Sequence, residues 1–514
     1  MDYRQCFNSM WLKECINDLY NTGVTDDNLN LIFEANRVNQ VAVNSPAGIT
    51  KREEINEIIL QGEVFGPLQC SVQIDTFGKQ CLAEGKYLYQ YRDCVGIPPL
   101  AMVDDLLAIS ECGVESVKVN AFLNSKTNIK KLQFGGDKCK KLHIGKKEHL
   151  CPDLFVDSWK LVKQDENKTG IRNLTDEPDG DFPMKKNQEA KYLGDILCTN
   201  GTNRKTVEDR KSKGFGAANK IISILEETCF GPYFFECAVI LRNSLLINGI
   251  LTNIEAWYGI AAGEIEILES VDLYLFRRIF EMSSSSPKEM FYLETGCLPI
   301  SSIIVVGRLL FLHSILQEDP NSLIHRFFKS QLSNPVKGDW VLDVKQNLHD
   351  LEIVETIEEF QQMKINKFRK IVNNAIRKKT LKDLNKVKMS HSKVKHIEYA
   401  SLDMQNYLKP GNLTMFEAKF AFDARCRMLK VKTNFSQSNS SKFCPLCKDP
   451  DNLDTQPHLL ECEQIVHDEL VVGKATKYDQ LFSKNIDDQT VIIKMLKNCL
   501  EKRKKILEEE ERMK

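Results

Sequence analysis

Apolar residues recur along this chain with two spacings, and the change of spacing divides it. "FNSMWLKECINDLYNTG" (7–23) repeats them every three or four residues and stops at Gly23, which predicts an amphipathic helix with a glycine cap. "QVAVNSPAGITKREEI" predicts two short strands about a Ser-Pro-Ala-Gly turn. "GPLQCSVQIDTFGKQCLAE" opens on Gly66-Pro67 and continues as a helix. "PPLAMV" and "LLAIS" are each strand-length and flank Asp104-Asp105, which suits a hairpin turn. "SKTNIKKLQFGGDKCKKLHIGKK" predicts a helix end, a Gly-Gly-Asp turn and a strand. A polar stretch near 163–190 reads as a surface loop ending at the short strand "KYLGDILC".

From about 203 to 330 the helical period dominates, most clearly in "AANKIISILEETC" and "ILESVDLYLFRRIFEM", with a loop at the serine run 283–286. "ISSIIVVGRLLFLHSIL" (300–316) is too short to span a bilayer and carries Arg308, which favours a buried core helix; His313 on its apolar face reads as structural. The segment 361–400 holds twelve Lys or Arg against Asp383 and Glu398. The chain finishes in "EKRKKILEEEERMK", expected to be one exposed helix. Together these elements predict an α+β first part and a helical remainder.

Composition changes this picture little. A chain of 514 residues with 42% hydrophobic and 27% charged residues can build several cores. A net charge of −1 leaves no global field toward nucleic acid or membrane, so any basic surface is local. No secretory signal is apparent at "MDYRQCFNSM", and the 17 cysteines fit free thiols and metal ligands better than a disulfide framework. An intracellular protein without membrane attachment is the expectation, with nucleus and cytoplasm not distinguished.

Two constellations carry candidate chemistry. Adjacent carboxylates between apolar flanks are tolerable on an exposed turn, or where a cation holds them. Two divalent cations would need a further carboxylate nearby; Asp2 is the candidate, whereas Asp75 falls inside a helix. The second constellation is "CPLCKDPDNLDTQPHLLEC". Cys444 and Cys447 form a C-x-x-C, and His458 and Cys462 follow as H-x-x-x-C. Three thiolates and one imidazole at these separations can close a tetrahedron about Zn²⁺. The alternative is a chance grouping in a cysteine-rich chain. The basic stretch 361–400 reads either as a solvated helix face or as a phosphate-binding surface, with Phe368 and Tyr399 as core residues or as base-stacking aromatics.

Taken in order, the motifs resemble the palm of non-LTR retrotransposon (LINE-type) reverse transcriptases. "DYRQCFNSM" looks like the first palm motif, "LQGEVFGPLQCS" like the Gln-Gly motif and "AMVDDLLAIS" like the paired-aspartate motif. "GGDKCKKLHIG" is similar to the lysine-bearing motif and "KYLGDIL" to the primer-contacting strand. The resemblance implies that Asp2, Asp104 and Asp105 hold two Mg²⁺ ions and that Phe7 screens the sugar 2′ position. It also implies that Gln61 and Gly62 lie under the incoming nucleotide and that Lys138, Lys140 or Lys141 approaches the leaving phosphates. Asn8 stands where many relatives have an acid. Many members of the family also carry a Cys-Cys-His-Cys knuckle, though the spacing here is looser.

On that resemblance the expected organisation is an antiparallel palm at 1–200 without its fingers, then a helical thumb at 201–330. A basic helical connector at 331–430, a zinc knuckle at 431–470 and a charged helix at 471–514 follow. The implied function is RNA-directed DNA synthesis on an RNA template and DNA primer with dNTP. Activity should be weak or absent, because the family's fingers region, which would precede Asp2, does not appear. The rival reading is a non-catalytic nucleic-acid-binding protein that uses the connector and the knuckle.

Overall fold

A computed structural model describes residues 1, 3, 6, 10, 12–42, 44–46, 48–56, 66–92, 95–130, 132, 134–135, 138–144, 152–157, 181–228, 231–434, 442–447, 449, 451–465 and 478–512. The chain is mostly helical with small, chiefly antiparallel sheets. It forms two compact units: Met1–Thr206 with Asp319–Asn334, and Val207–Glu318 with Pro335–Lys514.

In the first unit, α1 (Leu12–Asn21) buries Leu12, Cys15 and Leu19 at helical spacing, and Gly23 beyond its end takes φ +92°. α2 (Asp26–Arg37) follows and leads into β1 (Val38–Val41). Strands β2 (Asn44–Ser45) and β3 (Gly48–Ile49) pair antiparallel, and β4 (Glu53–Asn56) returns along β1. α3 (Gly66–Glu84) buries Gln69, Cys70, Gln73, Ile74, Phe77 and Cys81. β5 (Tyr89–Tyr91) and β6 (Val95–Ile97) form one hairpin; β7 (Leu100–Met102) and β8 (Asp105–Leu107) form the next. α3 packs against β7. A Cβ on Gly78 would lie 3.2 Å from the Pro99 carbonyl oxygen, so glycine permits this close approach.

α4 (Gly113–Ile129) donates from the Asn120 and Asn124 amides to the Phe155 carbonyl, fixing β10 (Phe155–Asp157) beside it. β9 (Lys140–Lys141) pairs in parallel with β12 (Lys185–Lys186), while β10 pairs with β11 (Asp181–Pro183). The unit's core joins Tyr3, Cys70, Phe77, Leu106, Leu123 and Phe134, with Tyr3 stacked on Phe134 at 4.8 Å. Helix Leu323–Ser333 belongs to this unit and sets Phe327 against Tyr91 at 4.3 Å.

Two expectations are corrected here. "KYLGDILC" is not one strand but a hairpin, β13 (Glu189–Tyr192) and β14 (Asp195–Cys198), because Leu193 and Gly194 both adopt positive φ, as a two-residue turn of this kind requires. The acidic hairpin turns on Val103-Asp104, with Asp105 already in β8 opposite Met102. Among the described residues the named strands pair two by two, and Met1 joins the β7–β8 hairpin through its backbone hydrogen bonds with Leu106.

The second unit is built from α5 (Arg204–Thr228), α6 (Phe234–Leu241), α7 (Ala262–Ile279), α8 (Lys288–Thr295) and α9 (Ile300–Gln317). It continues with α10 (Trp340–Asp350), α11 (Ile357–Gln362), α12 (Ile365–Lys388), α13 (Met415–Arg425) and α14 (Ile486–Arg512). One core runs from Val207 to Cys499 and takes in residues on both sides of the expected division at 430. α9 is long and apolar enough by composition to cross a membrane. It packs against α7, α10, α11 and α12, and Arg308 within it donates to the Trp257 carbonyl and the Asn347 side chain. His313 is buried and bonded to the Met363 carbonyl, the structural role expected of it.

Two buried charge clusters lock the helices. Arg242 grips Asp272 through two hydrogen bonds of 2.6 Å, and the Tyr292 hydroxyl donates to the same carboxylate. Glu294, fully buried on α8, accepts from Tyr399, Tyr407 and Arg425. Tyr399 and Phe368 are therefore core residues rather than stacking platforms.

Candidate metal centre and candidate active site

The Cys-His group is assembled by a small antiparallel bridge and a single helical turn. Phe443 pairs with Leu453, the Cys444 amide donates to the Asn452 carbonyl, and the Asn452 amide closes a turn on Asp449. A 3-10 turn at Pro457–Leu460 carries His458, whose amide is held by the Thr455 hydroxyl; the Cys462 amide then donates to the His458 carbonyl at 2.8 Å. The ligand atoms of Cys444, Cys447, His458 and Cys462 all lie within 4.8 Å of one another. Cys444 Sγ is 3.9 Å from Cys462 Sγ, and Cys447 Sγ is 3.6 Å from His458 Nε2. A zinc tetrahedron with bonds of ~2.3 Å to sulfur and ~2.0 Å to nitrogen has edges of about 3.8 Å between sulfurs and about 3.6 Å from sulfur to nitrogen. These four residues could thus hold a metal ion such as zinc.

Burial and the neighbouring thiols push the Cys462 thiol up to about 11, so ligation must displace its proton. Three of the four ligands are buried, and Leu446, Leu459 and Ile465 beside them join the core of the second unit. Asp454, inside the same loop, accepts from the Lys432 amide and from Arg503 of α14. Gln456 donates to the Ala424 carbonyl at the end of α13. The closing charged segment forms the end of helix α14 (Ile486–Arg512), where Arg503 is buried among exposed and half-buried neighbours, while the preceding turns bury Ile492, Ile493, Leu496 and Cys499.

The acidic hairpin has a different character. Asp104 and Asp105 are half-buried at the tip of β7–β8, and Val103 there takes φ +55°, an unfavourable value for a β-branched residue. Met1 exchanges two backbone hydrogen bonds with Leu106, its amino group donating at 2.6 Å and its carbonyl accepting at 3.0 Å. Tyr3 bridges Phe134. On β13 the Tyr192 phenol is pushed up by burial and by the Asp105 carboxylate, which disfavours a second negative charge.

Of the remaining candidates, Asp2, Phe7, Gln61 and Gly62 lie outside the described residues. Lys138 and Lys140 are exposed. Lys141 is buried, and its ammonium donates to the Pro152 carbonyl and to Asp153 at 3.3 Å, so it is engaged within the protein. Asp75 pairs with Lys79 one turn along α3.

Sequence reasoning missed Asp454, Gln456 and Arg503, the groups that seat the metal loop. The one available signal was the apolar i, i+4 pattern running into Arg503, hidden by its charged neighbours. No protein-family model matches the chain, and no curated protein matches it.

Proposed function

We propose that the chain carries the palm and thumb of a non-LTR retrotransposon reverse transcriptase, an RNA-directed DNA polymerase. The observation that carries this reading is the pairing of Met1 with Leu106, which sets the first motif's segment beside the paired-aspartate hairpin. Asp105 also acts on the Tyr192 phenol, in the segment that resembles the family's primer-contacting strand, and this supports the same reading.

Asp104 and Asp105, with Asp2, are the donors that would hold two Mg²⁺ ions, since carboxylate oxygens suit a hard cation. When bound, such ions neutralise charge on the attacking and leaving oxygens of phosphoryl transfer. The primer 3′-hydroxyl would attack the α-phosphate of a dNTP with loss of pyrophosphate, and the protein's part is to align the two.

Primer extension on an RNA template tests the proposal, with the unaltered chain and with Asp104→Asn. Extension by the unaltered chain, however weak, and its loss in Asp104→Asn are expected. Extension indifferent to Asp104→Asn would overturn it. A second reading, favoured by the basic exposed side of α12, is nucleic-acid binding without catalysis through 331–430 and the metal loop.

A further inference from the structure

α12 carries two opposed rows of side chains. Phe368, Val372, Ile376, Thr380, Leu384 and Lys388 are all buried at strict four-residue intervals, and the helix packs against α8 and α9. Offset by two residues, Asn366, Lys370, Asn374, Lys378, Lys382 and Lys386 are all exposed at the same interval. The row contains no acid. Flanking Arg369 and Arg377 are exposed as well, and Asp383 is paired with Lys379 at 2.9 Å. Lys378 lies 4.0 Å from Glu352, an exposed pair of little strength.

We propose that this ridge is a binding surface for the phosphodiester backbone of a nucleic acid strand, with Lys370, Lys378, Lys382 and Lys386 contacting phosphates and Asn366 and Asn374 donating to phosphate or sugar oxygens. It rests on the nucleic-acid-binding reading above. The geometry supports it in three ways. Lysines at i, i+4 repel one another, and a helix shaped only for solvation gains by alternating sign along such a row. At about 1.5 Å per residue each step advances roughly 6 Å and turns about 40° further round the axis, giving a cationic stripe that rises about 24 Å from Lys370 to Lys386 while winding about 160° round the helix, a path that a flexible strand can follow. The row itself holds no aromatic or aliphatic side chain to insert into a bilayer, which separates it from a membrane-surface helix. A chain whose net charge is −1 has concentrated cations here without a global excess.

The test uses the full chain and fluorescent oligonucleotides: single-stranded RNA, single-stranded DNA and RNA duplex, each titrated across salt concentrations. The ridge variant is Lys370→Gln, Lys378→Gln, Lys382→Gln and Lys386→Gln together. The control removes equal charge elsewhere on the same unit, at Lys220, Lys337, Lys345 and Lys494, all exposed. The ridge variant should bind at least about tenfold more weakly at 0.1 M salt, with its log–log salt slope smaller by about 2.8 for a single strand or about 3.6 for a duplex. The control should bind as the unaltered chain does. Circular dichroism of both variants excludes unfolding as the cause. Equal loss in ridge and control variants, or no loss in the ridge variant while the unaltered chain binds RNA, overturns the ridge assignment alone. Failure of the unaltered chain to bind any oligonucleotide, or binding only to phosphatidylserine-containing vesicles, overturns the nucleic-acid reading with it.

Discussion

Arg503 of α14 donates through Nη2 to Asp454 Oδ2 at 2.7 Å, with both side chains buried and the two residues 49 positions apart in the chain. A second nitrogen of the same guanidinium reaches the Lys430 carbonyl at 2.7 Å. The metal loop is thus fastened to the C-terminal helix by a charge pair as well as by apolar contact. Removing one partner strands the other charge away from water. Arg503→Ala should therefore cost about 3–5 kcal/mol in urea unfolding, whereas replacing both Arg503 and Asp454 by apolar residues should cost much less.

Metal content gives an independent check on the Cys-His group. The purified chain should carry one zinc ion per molecule by atomic emission, and Cys447→Ser should lower that occupancy substantially. Chelation should destabilise the second unit, since the ligands are continuous with its core. Equal zinc content in the two proteins would remove Cys447 from the ligand set.

Asp423 supplies a pH signature. Burial and the nearby Glu281 carboxylate push its carboxyl from 3.8 up to about 7, against the opposing effect of Lys419. A folded-state value above the unfolded one means that the folded chain holds the extra proton between about pH 4 and 7. Stability should fall as pH rises through that window and level off above it. Asp423→Asn should flatten this slope and be more stable than the unaltered chain at pH 8, on the order of 1–3 kcal/mol. Denaturant midpoints measured at pH 5, 6, 7 and 8 decide it.

Gly78 offers a steric test of the first unit. Gly78→Val places methyl groups against the Pro99 carbonyl and must push α3 away from the strand that leads to the acidic turn. A loss of about 1–3 kcal/mol is expected from such overpacking. Gly216, where a Cβ meets nothing within 4 Å, serves as the control.

Helices were the most legible part of the sequence, because a period near 3.6 survives wherever one face is buried: the segment opening at Gly66-Pro67 and the cap at Gly23 both lie where their residue types place them. Strand pairing was less legible. The turn in "KYLGDILC" begins with Leu193 in a left-handed conformation, and leucine gives no turn signal. The Cys-His group was readable because thiols and imidazole at ligand spacing are chemically conspicuous. Asp454 and Arg503 were not, since an ion pair across 49 residues leaves no local pattern and each partner sits among charged neighbours. The inward use of Lys388 and Lys393, both bonded to backbone carbonyls, was likewise hidden within a basic run.

The Glu294 cluster bears on the order in which the chain can fold. Its three donors lie 105, 113 and 131 residues further along, so no local contact can satisfy the carboxylate. At a synthesis rate of ~5–20 residues per second, roughly 7–26 s separate the appearance of Glu294 from that of Arg425. Through that interval α8 must keep its acidic side hydrated, and the core around it stays open. Closure of a loop this long costs chain entropy before any bond repays it. The helices of the second unit therefore form early and locally, while their final docking waits for α13 to arrive.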